Sequence, residues 1–220
     1  MALPATHIRF AETVAVDLKV TDRGAYLTGT LYPDSRWMTG VDREQTHADR
    51  ILDPGFASDA FSLGWHIHCV CDRIQRTLHH ELLKGLETLD EHARWVRIAA
   101  VKVIQDRHDA GRIDLTSLLH LLANPPTPND ESEDRVRAYL QLVRRAYRGE
   151  GVPDWQMYAG LWEAVKLDRQ VIGAIKDQLD DIQADGPLVQ RIRDLFDRMV
   201  DCWRTDWARR SQPTAGGGDG

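Results

Sequence analysis

Between residues 58 and 84 the chain carries apolar side chains at helical spacing, from Phe61 and Trp65 to Leu83, and within that stretch sit His68 and Asp72. Any fold must house this helix, and a four-residue spacing puts imidazole and carboxylate on one face, one turn apart. Burying a carboxylate without a partner is costly. Its expected partner is either the histidine itself, in a hydrogen-bonded pair, or a divalent ion gripped by both.

The rest of the pattern is helical too. Ile8, Ala11, Val14 or Ala15, and Leu18 recur at helical spacing over residues 4 to 18, with Thr6 as the expected cap and His7 on the first turn. A short apolar segment from Tyr26 ends at Pro33-Asp34, and residues 35 to 57 read as a long loop suited to covering a site or carrying ligands. Helices are expected over 88 to 109, from the cap Asp114 to about Ala123, and over 131 to 149, 154 to 183 and 186 to 209. No strand pair or internal repeat is visible. The expected fold is an all-α, single-domain helical bundle over residues 1 to 210, with a possible sub-boundary in the proline-rich break 124 to 130 and a disordered tail over 211 to 220. Trp155, Trp162, Trp203 and Trp207 must be covered in the C-terminal half, by a core or by a homodimer partner.

Charge narrows the partners. A formal net charge of −6 argues against general nucleic-acid or anionic-membrane binding, while leaving room for a small phosphorylated substrate in a local basic pocket. No apolar run approaches the length of a bilayer span, and no secretory signal is seen. With three cysteines, an odd count, and Cys69 and Cys71 too close for a disulfide framework, a reduced cytoplasmic setting is expected.

His7, Asp34 and His47 precede the central pair in an order that suggests further ligands. Each also has a plain reading: His7 as an exposed first-turn residue, Asp34 as a cap or turn residue, His47 as a surface-loop histidine. His66, two residues before His68, faces elsewhere on a helix. His79, His80, His92, His108 and His120 show no ligand-like spacing, and Cys69 and Cys71 read as buried packing residues. Asp106, on the next long helix, is either an extra ligand reaching across the bundle or a solvated, salt-bridged acid.

Taken together, Thr6-His7-Ile8, the Tyr26-to-Asp34 segment ending in Pro-Asp, Thr46-His47, and Gly64-Trp65-His66-Ile67-His68-Cys69-Val70-Cys71-Asp72 resemble the zinc-dependent phospholipase C family and its S1/P1-type nuclease relatives. The resemblance covers roughly the first half of the chain. It implies that Asp34, His47, His68 and Asp72 hold one zinc ion, that Asp72 bridges to a second ion held with His7, and that Asp34 and Asp72 serve catalysis. Arg36, Arg43 and Lys102 are candidates for holding the substrate's negative charge. In the family the mature amino terminus and an N-terminal Trp are ligands, whereas six residues precede His7 here. The family's downstream His and His-x-x-x-Glu also have no counterpart. The expectation is therefore one or two divalent ions, zinc, manganese or iron, and a small phosphomonoester or phosphodiester hydrolysed by activated water. The alternatives are a di-iron or di-manganese oxidase of a small molecule, and a metal-free helical binding protein.

Overall fold

A computed structural model describes residues 3–83, 85–149 and 151–211, with backbone alone for Arg210 and Ser211. Among these described residues there are twelve α-helices: α1 (Pro4–Ala15), α2 (Arg23–Leu31), α3 (Arg36–Thr39), α4 (Arg43–His47), α5 (Ala60–Leu82), α6 (Glu91–Ala110), α7 (Leu115–His120), α8 (Glu133–Ala146), α9 (Trp155–Ala164), α10 (Arg169–Gln183), α11 (Gly186–Arg193) and α12 (Leu195–Ser211). Among the described residues there is no strand, so the all-α class holds. No helix among them is long and apolar enough to cross a membrane.

Aspartate starts most of these helices. Asp22, Asp59, Asp90, Asp114, Asp154, Asp168 and Asp185 each accept a hydrogen bond from a backbone N–H of the first turn, which satisfies an orphan donor and opposes the positive helix end. Part of the chain's acidity is thus spent on helix starts. At Asp59 the cap is reciprocal: Ser62 N donates to Asp59 Oδ1 at 2.7 Å, and Asp59 N donates to Ser62 Oγ at 3.0 Å.

Several expected boundaries shift. The first helix begins at Pro4, as the spacing over residues 4 to 18 gives, but Leu3 rather than Thr6 is its cap residue, and it ends at Ala15 rather than residue 18. The expected loop 35 to 57 contains α3, α4 and two 3₁₀ turns, Asp49–Leu52 and Pro54–Phe56. The expected helix 154 to 183 breaks into α9 and α10, because Lys166 adopts a left-handed φ of 63° and Asp168 caps a new start. The expected helix 186 to 209 breaks at Asp194. The expected disordered tail lies outside the described residues, apart from Ser211, which closes α12.

One apolar core runs from Leu3 through α5 and α6 to Trp203, and so includes residues on both sides of the break at 124–130. Trp162 and Trp203 are buried in it, and Trp207 stacks on Trp203 with ring centroids 5.6 Å apart. The C-terminal helices therefore complete the core around α5 and α6.

At its centre α2 crosses α5 with backbones in contact. A Cβ on Gly29 would lie 1.9 Å from the carbonyl oxygen of Phe61, and one on Gly64 would lie 1.9 Å from that of Tyr26. Backbone cannot yield as a flexible side chain can, so only glycine fits at either place. Gly64→Ala is expected to cost about 3 kcal/mol or more and lower Tm by several degrees in a chain of this size. Gly173→Ala, inside α10 with nothing within 4 Å of the added carbon, should instead stabilise by up to about 1 kcal/mol. Urea melts of both variants test the contrast.

Candidate metal centre

The α2–α5 crossing sets the first ligand. His68 Nδ1 lies 2.8 Å from the carbonyl oxygen of Thr30, near the end of α2, so it donates there and leaves Nε2 with its lone pair facing inward. Two residues past the end of α2, Pro33 sits in a 3₁₀ turn, Tyr32–Ser35, that carries Asp34 buried beside the cluster. His7 is turned the same way: its Nδ1 is 3.3 Å from the Leu3 carbonyl, and its Nε2 makes no hydrogen bond although fully enclosed.

His47 arrives from α4. Its Nδ1 meets Thr46 Oγ1 at 2.8 Å, while that hydroxyl donates to the Arg43 carbonyl. Trp65 Nε1 donates to the Thr46 carbonyl at 2.7 Å, which latches α4 onto α5. The outcome is a row of three imidazoles in which His68 neighbours both His7 and His47. His47 Nε2 lies 3.3 Å from His68 Nε2, and the rings of His7 and His68 are 4.2 Å apart.

Asp72 completes the arrangement and divides its oxygens. Oδ1 faces His7 Nε2 at 3.5 Å and Lys102 Nζ at 3.4 Å; Oδ2 faces His47 Nε2 at 3.7 Å and His68 Nε2 at 4.0 Å. Two groups have donor atoms within 4.8 Å of one another, His7–His68–Asp72 and Asp34–His47–His68, and His68 belongs to both. Either could hold a metal ion: the donors are imidazole and carboxylate without thiolate, which suits zinc, manganese or iron, and His7 Nε2 is buried without a hydrogen bond.

Charge within the cluster follows from burial. Burial pushes His47 down to about 4 and, with His7 adding to it, His68 down to about 3, so both imidazoles are neutral and ligand-ready at pH 7. His7 goes the other way: burial opposes protonation, but the Cys71 sulfur and the Asp72 carboxylate outweigh it, and a proton on Nε2 stands where a cation would. Asp72 is held well below the usual carboxylate range against its burial, chiefly by Lys102 and then by His7.

All five residues of the sequence-derived set, His7, Asp34, His47, His68 and Asp72, thus lie together in these two groups. Asp106 does not join them. It is fully buried rather than solvated or salt-bridged, and its oxygens accept from Thr6 N at 2.9 Å and from the hydroxyls of Tyr147 and Tyr158 at 2.7 and 2.8 Å. It fixes the residue before His7 instead of acting as a ligand. Arg36 is half-buried, with its guanidinium 4.4 Å from the Trp37 ring centroid, while Arg43 and Lys102 line a cleft that opens onto His47 and Asp72. His66 Nδ1 donates to the Ile51 carbonyl at 2.6 Å, and Cys69 and Cys71 are buried.

Arg73, Arg76 and His80, which sequence reading left aside, line the same cleft. The signal was present: residues 68, 72, 76 and 80 repeat every fourth position and so follow one face of α5. A scan against protein-family models, a search of curated proteins and a search of solved structures each find no match for this chain.

A pH dependence of folding follows. The folded-state pKa values of His47 and His68 lie below the unfolded value of 6.5, so the unfolded chain takes up protons first. Their stability contribution is complete above pH 6.5 and is lost as pH falls toward 4. His7 acts in the opposite sense: its folded-state value is raised above 6.5, so it favours the fold more as pH falls toward 6.5 and offsets part of the loss near pH 7. With chelator present, urea melts at pH 7 and pH 5 should differ by on the order of 2 kcal/mol, and His47→Gln should reduce the difference.

Proposed function

We propose that this protein is a metal-dependent hydrolase of a small phosphoester. The observation that carries this reading is the junction of two features: a buried His/Asp cluster, and a cleft at its mouth lined by Arg43 and Lys102. A bound divalent ion would supply a Lewis acid for a phosphoryl oxygen and acidify a nearby water. His7, His47, His68, Asp34 and Asp72 are the residues that would hold one or two such ions, as the resemblance to the phospholipase C and S1/P1 nuclease group implies.

The chain's own side chains supply the remainder. Lys102 and Arg43 neutralise charge on the substrate's phosphoryl oxygens, and Lys102, 3.4 Å from Asp72, places that charge next to the cluster. Asp34, buried at 6% exposure, is with Asp72 the carboxylate that would orient a water held at such an ion. Burial of His7 and His68, each 1% exposed, keeps bulk water off these ligand atoms.

A redox reading with paired iron or manganese uses the same donors. The cationic cleft supports an anionic substrate such as a phosphoester. The test is metal analysis of purified protein with a phosphoester panel. Stoichiometric zinc or manganese and turnover of a phosphomonoester or phosphodiester are expected. His68→Ala and Asp72→Ala should each strip the metal and lower hydrolysis at least about 100-fold with helicity retained. Full activity in both variants would defeat the proposal, and iron with colour and oxygen consumption would replace it with the redox reading.

A further inference from the structure

We infer that the cleft beyond the metal centre is a second anion subsite, so that the preferred substrate carries a further phosphate or carboxylate besides the phosphoester that is cleaved. This rests on the phosphoesterase reading for the first anion only. The cleft, about 310 Å³, is of a size for a small molecule and not for a polymer. Its charged lining is Arg43, Arg73, Arg76 and Lys102 against Asp49 and Asp72, and Asp72 already faces Lys102 and the histidines. Outside the cluster, one carboxylate therefore stands among several cations, in a chain whose net charge is −6.

These cations are not consumed by the fold. Among the described residues Arg43 and Arg76 form no ion pair, and Arg73 reaches only Asp206, at 3.9 Å, with both side chains at least one-third exposed, a contact of little strength. Unpaired like charges gathered in one concavity repel one another, and an anion relieves that repulsion. Lys102 sits against the metal ligands, whereas Arg76 is one turn further along α5 than Asp72, a rise of roughly 6 Å. That separation places two anionic groups at the two ends of one small molecule. Trp95, on the facing wall from α6, offers an apolar surface for the carbon frame between them.

The experiment compares fructose 1,6-bisphosphate with fructose 6-phosphate by calorimetric titration of the intact protein, with and without added zinc, alongside kcat/KM for both. The bisphosphate is expected to bind about tenfold tighter or more, with the ratio shrinking as salt is raised. Arg76→Ala, at an exposed position, should cut the ratio to about twofold, and Arg76→Lys should restore most of it. Equal affinities in the unaltered protein, or a ratio that survives Arg76→Ala, would overturn the subsite. Preferential bisphosphate binding through Arg76 without hydrolysis of either sugar phosphate would keep the subsite and count against the phosphoesterase. Hydrolysis of both with equal kcat/KM would do the reverse.

Discussion

Backbone contact between α2 and α5 at Gly29 and Gly64 is the constraint on which the rest of the molecule depends. Because the two helices touch without intervening side chains, the Thr30 carbonyl comes within hydrogen-bond reach of His68, and the 3₁₀ turn bearing Asp34 emerges beside the same helix. A larger residue at either glycine would push the helices apart by more than the tolerance of a ligand cluster, which is a fraction of an ångström. Geometry that a metal centre needs is thus set by two residues with no chemistry of their own.

Around that crossing, polar groups are satisfied in a graded way. Asp106 is wholly enclosed yet accepts three hydrogen bonds, and so ties α6, α8–α9 and the start of α1 together. Nearby, Arg9 reaches Asp109 at 2.6 Å. Gln105 accepts from Gln75 and contacts His79 inside the core. At the His/Asp cluster, by contrast, His7 Nε2 is enclosed and without a hydrogen bond and shares space with other possible donor atoms. The contrast separates polar groups that hold the fold from those positioned to hold something else.

Much of this was legible in one dimension, and the exceptions have physical causes. The α5 helix and the His68–Asp72 pair follow directly from periodicity, because 23 helical residues leave little ambiguity of phase. The interruptions at Lys166 and Asp194 were not legible, since apolar spacing continues across both and a left-handed lysine carries no sequence signature. Helices of four and five residues such as α3 and α4 are too short to show a period at all. His7 and His47 came to notice through the order of motifs rather than through any local pattern. Asp106 was misjudged because the tyrosines that hold it lie 41 and 52 residues away. Arg76 and His80 were passed over although they continue the ligand face.

The sharing of His68 by both candidate groups has a consequence for stoichiometry. Its Nδ1 is committed to the Thr30 carbonyl, so a single lone pair remains on Nε2, and one lone pair serves one ion. Two bound ions would therefore compete for this imidazole, and the one that lost it would be left with His7 and the Asp72 oxygen facing it. Occupancy of the two positions would then be anticooperative, each ion weakening its neighbour by the same factor.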